Sequence, residues 1–367
     1  MASPIKILHV VVNMNRGGAE TLLINLYRNI DRSKVQFDFL TCKKGVFDSE
    51  IEEMGGKIHR IPYITEVGHK GYIKALDKFF LANSYYNIVH SHMDKMSGLI
   101  LRAAKKANIP VRIAHSHNTQ SEGNFLAKIY KWYAGSNIKK FANYRFACSN
   151  AASNWLYGEN AESQIIKNGV DLTKFSFSNQ LRNQVRKELG INSDTFVVGH
   201  VGRFNHQKNH TFLIDIFKEY WNKNSNSILI LIGDGSLRKQ IEQKVRDCNI
   251  ENHVKFLGIR SNIYELIQAF DVFVFPSLHE GLPVTIMEAQ AVGISCLVSD
   301  TVTTEVDVGI GLVSFLSLGN KSIWAKELQL VKKSAVNTFH IALRENGYDI
   351  LDAANNLEDY YLKLSPM

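Results

Sequence analysis

The sequence has no long apolar run. No stretch of about 18 consecutive apolar residues, the length that a membrane-spanning helix needs, occurs among the 367 residues. The apolar run Ile7–Val12 is too short for a signal peptide, and no small-residue cleavage site follows it. We therefore interpret this run as a first β-strand and predict a cytoplasmic protein.

Cysteine is also scarce. The four cysteines, Cys42, Cys148, Cys248 and Cys296, are scattered and form no Cys-x-x-Cys pair. This spacing indicates neither a zinc site nor a disulfide framework, and it fits a reducing compartment. No internal repeat or low-complexity segment stands out either.

Acidic residues are sparse in the first half of the chain. Residues 1–170 contain 23 Lys and Arg against 13 Asp and Glu, and residues 101–150 contain nine basic residues and one acid. A basic face favours anionic partners such as phosphates, nucleic acid or an acidic membrane surface, although a solvated face without a specific partner fits equally. Because no nucleic-acid recognition motif accompanies the charge, we predict no nucleic-acid partner.

Short apolar, β-branched runs alternate with longer amphipathic segments. The predicted strands are Ile5–Val12, Gln36–Thr41, Asn87–Ser91, Val111–Ser116, Tyr144–Ser149, Phe196–Val201, Ser227–Ile232, Val254–Leu257, Asp271–Phe275 and Ser295–Ser299. The predicted helices include Ala19–Asn29, Leu76–Ala82, His210–Trp221, Leu237–Cys248 and Ile263–Ala269. This alternation predicts an α/β fold with parallel sheets covered by helices on both faces.

The pattern restarts near residue 193, after a polar stretch. We predict two doubly wound, Rossmann-like domains, 1–172 and 193–342, joined by a linker over 173–192 and followed by a C-terminal helical segment, 343–367. Ligands of such sheets bind beyond the carboxyl ends of the strands. The residues that follow each strand are therefore the candidates for a site.

One such candidate is the string Pro276-Ser-Leu-His-Glu-Gly-Leu-Pro-Val-Thr-Ile-Met-Glu288-Ala. Glu280 follows a buried strand, and Pro283 suits the first turn of a helix, where its missing N–H costs nothing. The backbone N–H groups of Gly281 and Leu282 then lie near a helix start, an arrangement that binds anions and hydroxyls. Two exposed acids on a helix is the simpler alternative for Glu280 and Glu288.

The whole string resembles the Glu-x7-Glu motif of the retaining GT-B glycosyltransferases of family four, the group 1 glycosyl transferases that build capsules and exopolysaccharides. The resemblance implies that Glu280 lies at the donor sugar with the N–H groups of Gly281 and Leu282, and that Glu288 binds the ribose hydroxyls. It also implies a GT-B fold with the acceptor mainly on the first domain and the nucleotide sugar mainly on the second. The C-terminal helix of this fold usually crosses back onto the first domain.

A second signal is Gly202-Arg-Phe-Asn-His-Gln-Lys208, which follows the strand Phe196–Val201. A departing nucleoside diphosphate gains negative charge, which fixed cations can neutralise without a metal. Family four carries an Arg and a Lys here, so the resemblance assigns Arg203 and Lys208 to the pyrophosphate. Ordinary surface charge is the alternative.

The third signal is Arg16-Gly17-Gly18 between the first strand and the first helix. Glycine permits close approach of a ligand to the backbone, and the helix start attracts phosphate. The geometry of a tight turn explains a Gly-Gly pair equally. The resemblance places Gly17 and Gly18, and less specifically Arg16, at the donor phosphates and the acceptor.

Histidines form two His-x-His pairs, His90/His92 and His115/His117. Metal ligation is one interpretation of this spacing. No carboxylate or cysteine set nearby completes a site, so we predict no metal. The resemblance instead places His117 at the donor sugar and makes it a candidate catalytic residue with Glu280, Arg203 and Lys208. His115 then becomes a packed strand residue.

The segment Phe125–Arg145 interleaves aromatic residues with lysines. This composition suits a membrane interface, where the enzyme would meet a lipid-linked acceptor. A helix with an aromatic core face and a wet basic face is an equal alternative.

The sequence therefore predicts a retaining, metal-independent hexosyltransferase without a cofactor, peripheral on the inner membrane face. The donor is a nucleotide diphosphate sugar, with a UDP-sugar favoured, and the acceptor is a growing surface glycan. A nucleotide-sugar epimerase on the same fold and a non-catalytic nucleotide-sugar-binding subunit are the alternatives.

Overall fold

The computed structural model describes residues 3–331 and 339–365. Residues 1–2 of the predicted first domain, residues 332–338 of the predicted second domain and residues 366–367 of the predicted C-terminal segment lie outside the described residues. The described chain divides into two compact units, Met1–Gly169 with Ile350–Met367, and Val170–Asp349. The alternation of apolar runs and amphipathic segments produces a parallel sheet with flanking helices in each unit, as an α/β chain requires.

The first unit is built on a seven-stranded sheet with the order β3-β2-β1-β4-β5-β6-β7. Its strands are β1 Ile5–Val10, β2 Val35–Thr41, β3 Ile58–Arg60, β4 Ile88–Ser91, β5 Val111–Ser116, β6 Tyr144–Ala147 and β7 Gln164–Ile165. Its helices are α1 Gly18–Asn29, α2 Asp48–Glu53, α3 Ile64–Ala82, α4 Ser97–Lys106, α5 Phe125–Ser136, α6 Ile138–Phe141, α7 Asn150–Tyr157 and the C-terminal α15 Ile350–Leu364. Helix α15 packs against α1, and its buried residues complete the core beside β1 and β2.

The second unit has a six-stranded sheet with the order β10-β9-β8-β11-β12-β13. Its strands are β8 Phe196–Val201, β9 Ser227–Ile232, β10 Val254–Gly258, β11 Val272–Phe275, β12 Ser295–Ser299 and β13 Val313–Leu316. Its helices are α8 Asn179–Glu188, α9 His210–Trp221, α10 Arg238–Asp247, α11 Ile263–Leu266, α12 Val284–Ala291, α13 Lys321–Leu330 and α14 Phe339–Glu345. One core cluster joins β8, β9 and β11 to α9, α10 and the fully buried Trp324 of α13.

The segment that we predicted as a linker contains α8, which lies within the second unit. Arg182 and Arg186 of this helix are buried, and both pair with Asp271, at 2.6 and 2.9 Å. Asp271 directly precedes β11, so α8 is fastened to the start of that strand. A buried ion pair of this kind is costly to break, because the remaining charge would be left without a partner.

Each sheet has one point at which the order of the strands reverses, between β1 and β4 in the first unit and between β8 and β11 in the second. The connections that follow these neighbouring strands leave in opposite directions and open a crevice at the carboxyl ends, where α/β sheets bind ligands. Four of the segments selected from the sequence follow these strands or the next one along: Gly17–Gly18, Arg203–Lys208, Glu280–Leu282 and His117.

Candidate active site

Hydrogen bonds join the loops after β8 and β11 in the second unit. The backbone N–H of Leu278 donates to the carbonyl of Gln207 at 2.8 Å, and the Gln207 amide donates to the carbonyl of His279 at 2.8 Å. These bonds fix the two loops to each other at the reversal point of the sheet. The sequence segments around Lys208 and Glu280, which are 72 residues apart, therefore form one site.

Lys208 and Glu280 form an ion pair at the centre of this site. Lys208 Nζ lies 2.7 Å from Glu280 Oε1, and the side chains of the two residues are only 16% and 10% exposed. The ammonium group also lies 4.6 Å from the centroid of the Phe275 ring, the last residue of β11. Sequestered from water and held on an aromatic face, this cation has a fixed position rather than the mobility of a surface lysine.

Arg203 contrasts with Lys208, because its side chain is exposed and makes no ion pair or hydrogen bond within the described residues. The next residue, Phe204, is completely buried and anchors the loop. The loop after β9 supports this anchor: a Cβ at Gly233, whose φ is +133°, would lie 2.1 Å from the carbonyl oxygen of Gly202. Only glycine fits there, so the approach of the two loops is built into the fold.

Glu288 lies in the second turn of α12 and is half-buried. Burial raises the pKa of its carboxyl group to about 7, because the charged form loses its hydration. No side-chain hydrogen bond of Glu288 occurs within the described residues. Gly281 and Leu282 are buried, and Pro283 precedes the first helical residue, Val284, rather than occupying the first turn as we predicted. The helix begins one residue late because Pro283 keeps an extended ψ of 113°.

In the first unit, Gly17 is the N-cap of α1 and Gly18 its first residue. Gly17 has an ordinary extended backbone, and a Cβ at Gly18 would meet nothing within 4 Å. Neither backbone strain nor packing therefore requires glycine at Gly18. Arg16 is exposed, and its guanidinium group lies 5.9 Å from the centroid of the Phe47 ring.

The two His-x-His pairs join a larger cluster that sequence reasoning missed in part. The parallel register sets His9 of β1 beside His90 of β4, and His90 beside Ile113 of β5. Residues two positions further along a strand share its face, which brings five histidines together on the side covered by α15. They are His9, His90, His92, His115 and His117.

Hydrogen bonds run through this five-histidine cluster in two chains. In one, His9 Nδ1 pairs with His92 Nε2 at 3.0 Å, and His92 Nδ1 pairs with His117 Nε2 at 2.8 Å. In the other, the hydroxyl of Tyr361 on α15 pairs with His90 Nδ1 at 2.6 Å, and His90 Nε2 pairs with His115 Nδ1 at 3.0 Å. His117, half-buried beyond β5, is thus the outermost member of a buried network.

All five rings are neutral at physiological pH. Burial lowers the pKa of His9 to about 3 and that of His117 to about 4, and it lowers the pKa of His90, His92 and His115 well below the ordinary value. Each neutral ring has one donor and one acceptor nitrogen. The cluster can therefore orient polar groups but supplies no positive charge.

Asp94 supports His117 and was not identified as a candidate residue from the sequence. Its carboxylate accepts a hydrogen bond from the backbone N–H of His117 at 3.0 Å, and burial raises the pKa of this carboxyl group to about 6. Asp94 has a φ of 44°, a left-handed conformation that aspartate tolerates better than most residues. The only signal in the sequence was its position shortly after a predicted strand.

Helix α5 lies in the basic aromatic segment and turns its apolar side outward. Phe125, Leu126, Ile129, Trp132 and Tyr133 are 75%, 74%, 47%, 68% and 50% exposed. Their spacing is that of one helical stripe, whereas Ala134 is the helix's buried residue. Of the two interpretations of this segment, the one with an aromatic core face is wrong for these five residues.

Neither α5 nor another helix in the described part of the chain combines the length and the apolarity that crossing a bilayer requires.

Two Rossmann-like units, each with its candidate residues at the carboxyl ends of parallel strands, define the GT-B class of fold. The chain belongs to the group 1 glycosyltransferases, family four. The profile described as "Glycosyl transferases group 1" matches residues 182–309, and the one described as "Glycosyltransferase Family 4" matches residues 16–174. The predicted family and fold class are thereby confirmed.

Individual relatives agree with this placement. The putative glycosyltransferase EpsF of Bacillus subtilis is 39% identical over 336 residues, which cover 88% of this chain and 86% of EpsF. The UDP-Gal:alpha-D-GlcNAc-diphosphoundecaprenol alpha-1,3-galactosyltransferase of Escherichia coli is 25% identical, covering 99% and 98% of the two chains. Among solved structures, Anabaena HepE in complex with UDP-glucose shares the fold with a TM-score of 0.82 and 22% identity, covering 98% of this chain and all of that one.

Proposed function

We propose that the protein is a retaining hexosyltransferase that uses a UDP-sugar and extends a lipid-linked surface glycan. The observation that carries the proposal is the sequestered Lys208–Glu280 pair at the reversal point of the second sheet, with the exposed Arg203 on the same loop as Lys208. The E. coli relative acts on a UDP-sugar and a diphosphoundecaprenol-linked acceptor, and HepE was solved with UDP-glucose. Both support the choice of donor, and the first supports the choice of acceptor.

The role of the cations follows from the charge that develops during transfer. When the bond between the anomeric carbon and the donor phosphate breaks, negative charge collects on the diphosphate. Lys208 is held in place beforehand and needs no reorganisation to meet that charge, which is the most effective form of electrostatic catalysis. Arg203, with five N–H donors and no side-chain partner among the residues that the structure describes, can bind phosphate oxygens in a fork. The chemical step then needs no metal ion.

The two glutamates have different environments and different roles. Glu280 is held in place by Lys208, and its carboxylate can accept a hydrogen bond from a sugar hydroxyl. Glu288, half-buried and without a side-chain partner in the described chain, can accept both ribose hydroxyls. The backbone N–H groups of Gly281 and Leu282 contribute to the sugar site.

The first unit supplies Gly17, Gly18 and His117. Because neither packing nor strain explains glycine at Gly18, the close approach of donor phosphate or acceptor does so. His117 is a neutral donor or acceptor fixed by His92, and it contacts the donor sugar. Since no group is proposed as a nucleophile, retention follows from attack on the face that the leaving group occupies, with the donor phosphate accepting the proton.

We further propose that α5 rests on the anionic inner surface of the cell membrane. Its exposed apolar stripe is flanked by exposed Lys128, Lys139 and Lys140. His69 of α3 bonds to Tyr130 of α5, so the exposed Lys70, Lys74 and Lys78 of α3 extend the same basic area. An apolar stripe bordered by lysines is the pattern of an interfacial helix.

One assay tests the transfer. The purified protein is incubated without metal with UDP-, GDP-, ADP- and TDP-sugars, and with diphosphoundecaprenol-linked acceptors. Tight binding of a UDP-sugar and transfer with retained anomeric configuration are expected. Epimerised donor without acceptor would identify an epimerase, and binding without transfer to any acceptor would identify a non-catalytic subunit; either result would overturn the proposal.

A vesicle assay tests the membrane contact. Wild-type protein should sediment with vesicles that contain anionic phospholipid but not with neutral vesicles, and salt should weaken the binding. Trp132→Ser combined with Phe125→Ser should release it, whereas Leu81→Ser, a change at an exposed apolar residue of α3, should not. Equal sedimentation of wild type and the double variant would refute the contact.

A further inference from the structure

Four members of the five-histidine cluster have no direct part in the proposed transfer. Two sets of three bring one potential ligand nitrogen from each ring within 4.8 Å of the others: His9, His90 and His92, and His92, His115 and His117. Imidazole nitrogens so close together match the requirement of divalent transition metals, which three histidines bind while leaving a fourth position open.

We propose that His92, His115 and His117 bind a divalent transition-metal ion of the zinc class. Imidazole ligands favour Zn²⁺, Ni²⁺ and Cu²⁺ over the oxygen-seeking Mg²⁺ and Ca²⁺. The ligand atoms are His92 Nδ1 and His117 Nε2, which lie 2.8 Å apart, and His115 Nε2. Small side-chain rotations would place each of them about 2.0–2.1 Å from a zinc ion.

The hydrogen bonds around these rings have the arrangement that metal ligands require. A ligating histidine generally donates its second ring N–H to a fixed acceptor, which orients the ring. His92 Nε2 is 3.0 Å from His9 Nδ1, and His115 Nδ1 is 3.0 Å from His90 Nε2. If both ligands donate, His90 must donate from Nδ1 to the Tyr361 hydroxyl, which is indeed its 2.6 Å partner. One set of neutral tautomers therefore allows both ligands to donate to fixed acceptors, and it places the His9 proton on Nε2, which has no partner within the described residues.

His115 provides an independent indication. The residue is 2% exposed, and its Nε2 is buried without a hydrogen-bond partner within the described residues. An unpaired buried polar atom costs about 1–3 kcal/mol. With the tautomers above, this nitrogen is a lone-pair acceptor, and a metal ion would satisfy it.

The alternative set, His9, His90 and His92, is less suitable. Both ring nitrogens of His90 are already bonded, to Tyr361 and His115, so ligation would break the supporting shell. All three of these residues are buried, whereas half-buried His117 gives the preferred set an entry path.

The ion would also fix the tautomer of the His117 ring. With Nε2 bound to metal, the ring proton must lie on Nδ1, so the nitrogen left for a ligand is a hydrogen-bond donor. This consequence rests on the proposed function, in which His117 contacts the donor sugar. The ion itself takes no part in neutralising the leaving group.

Metal titration of chelator-treated, full-length protein in the absence of any nucleotide sugar tests the site. We expect one Zn²⁺ per chain, visible absorption bands of four-coordinate Co²⁺, and an X-ray absorption spectrum of the zinc-loaded protein with three imidazole ligands. Removing a supporting residue of a metal site weakens binding about 10–100-fold, so losing a ligand in His115→Ala should weaken it by about 100-fold or more. His9→Ala, which removes only support, should weaken it less.

His206→Ala, a change at an exposed histidine of the second unit, is the control and should bind as wild type does. Circular dichroism confirms that each variant folds, and His117→Ala replaces His115→Ala if the latter does not. No saturable binding by the wild type, fewer than three imidazole ligands, or a larger loss in His9→Ala than in the ligand variant would overturn the site. Because no donor is present, these outcomes are separate from success or failure of sugar transfer.

Discussion

The two units share a parallel sheet with the same order of six strands, yet they place opposite chemistry at the point where that order reverses. The second unit has the Lys208–Glu280 ion pair there, with Arg203, which makes no side-chain pairing within the described residues; the first has uncharged imidazoles and two glycines, with the exposed Arg16 beside them. The comparison shows that the order of the strands determines where a site forms. The residues that follow each strand determine the charge of that site. The ionic loops of the second unit suit a leaving diphosphate, and the uncharged imidazoles of the first unit suit hydroxyl groups.

Lowering the pH should produce the largest difference in stability between the two units. A neutral buried histidine stabilises the fold above its unfolded pKa of 6.5, and that contribution is lost as the pH falls toward the lower folded value, since only the unfolded chain binds the proton. Each histidine then contributes about 1.4 kcal/mol less at about pH 5.5 than at neutral pH. The first unit has five in its cluster, and the second has His200 and His210, whose pKa values burial lowers to about 4 and about 2.

The measurement is hydrogen exchange by mass spectrometry on metal-free protein, corrected for intrinsic exchange rates. The first unit should lose several kcal/mol more protection than the second between neutral pH and about pH 5.5, because it contains five such rings against two. Asp94 and Glu288, whose raised pKa values act in the opposite direction, occur once in each unit and leave the contrast intact. Equal losses in the two units would contradict the neutral cluster.

Lys208→Ala should lower turnover by about 10²–10³-fold, because the variant loses a fixed cation beside the developing charge. Glu280 would then lack its 2.7 Å partner, so a thermal unfolding curve must accompany the kinetics. Lys244→Ala is the matched control, since Lys244 pairs with Asp215 on the partly exposed surface formed by α10 and α9. Turnover at the wild-type rate in Lys208→Ala would show that this cation takes no part in catalysis.

Glu288→Gln should weaken binding of a UDP-sugar about 10-fold at pH 8, because a hydrogen bond to a charged group contributes more than one to an amide. In the wild type, affinity should rise with pH through about 7 as the carboxyl group ionises. The variant should show no such rise, and isothermal titration at several pH values measures both. A pH-independent affinity in the wild type would exclude a ribose contact with this carboxylate.

Substitution of glycine should have the smallest effect on activity of the changes considered. It should also give a clear difference in stability between a substitution in the first unit and one in the second. Gly18→Ala should leave the melting temperature unchanged or slightly raised, because its Cβ meets nothing within 4 Å, while turnover falls several-fold. Gly233→Ala should destabilise the second unit, since its φ is +133° and its Cβ would overlap the carbonyl of Gly202. Calorimetry and steady-state kinetics distinguish the two, and full activity in Gly18→Ala would show that no ligand approaches there.

Hydrophobic patterning predicted the strands in the middle of each sheet well. β5, β8, β9 and β12 begin and end at the predicted residues. The strands that patterning missed, β3, β7 and β13, all lie at sheet edges. Edge strands are short and partly solvated, so they lack the continuous apolar run that identifies a buried strand.

The identity of the candidate residues could be predicted, but their contacts could not. The Lys208–Glu280 pair depends on two loops far apart in the sequence, and the five-histidine cluster depends on the register of β1, β4 and β5. In the sequence, His9 is a single polar residue within an apolar run, and nothing there links it to the other histidines. The direction of the aromatic stripe on α5 was likewise undetermined, because periodicity alone identifies a face without showing what covers it.

The position of α15 has a consequence for synthesis on the ribosome. The helix that fills the core beside β1 and β2 is translated only after the whole of the second unit. The nascent first unit must therefore remain open on one face, with its histidine cluster uncovered, while the second unit emerges and folds. Tyr361 covers that face last. The first unit, although its synthesis begins first, is therefore the last to complete its fold.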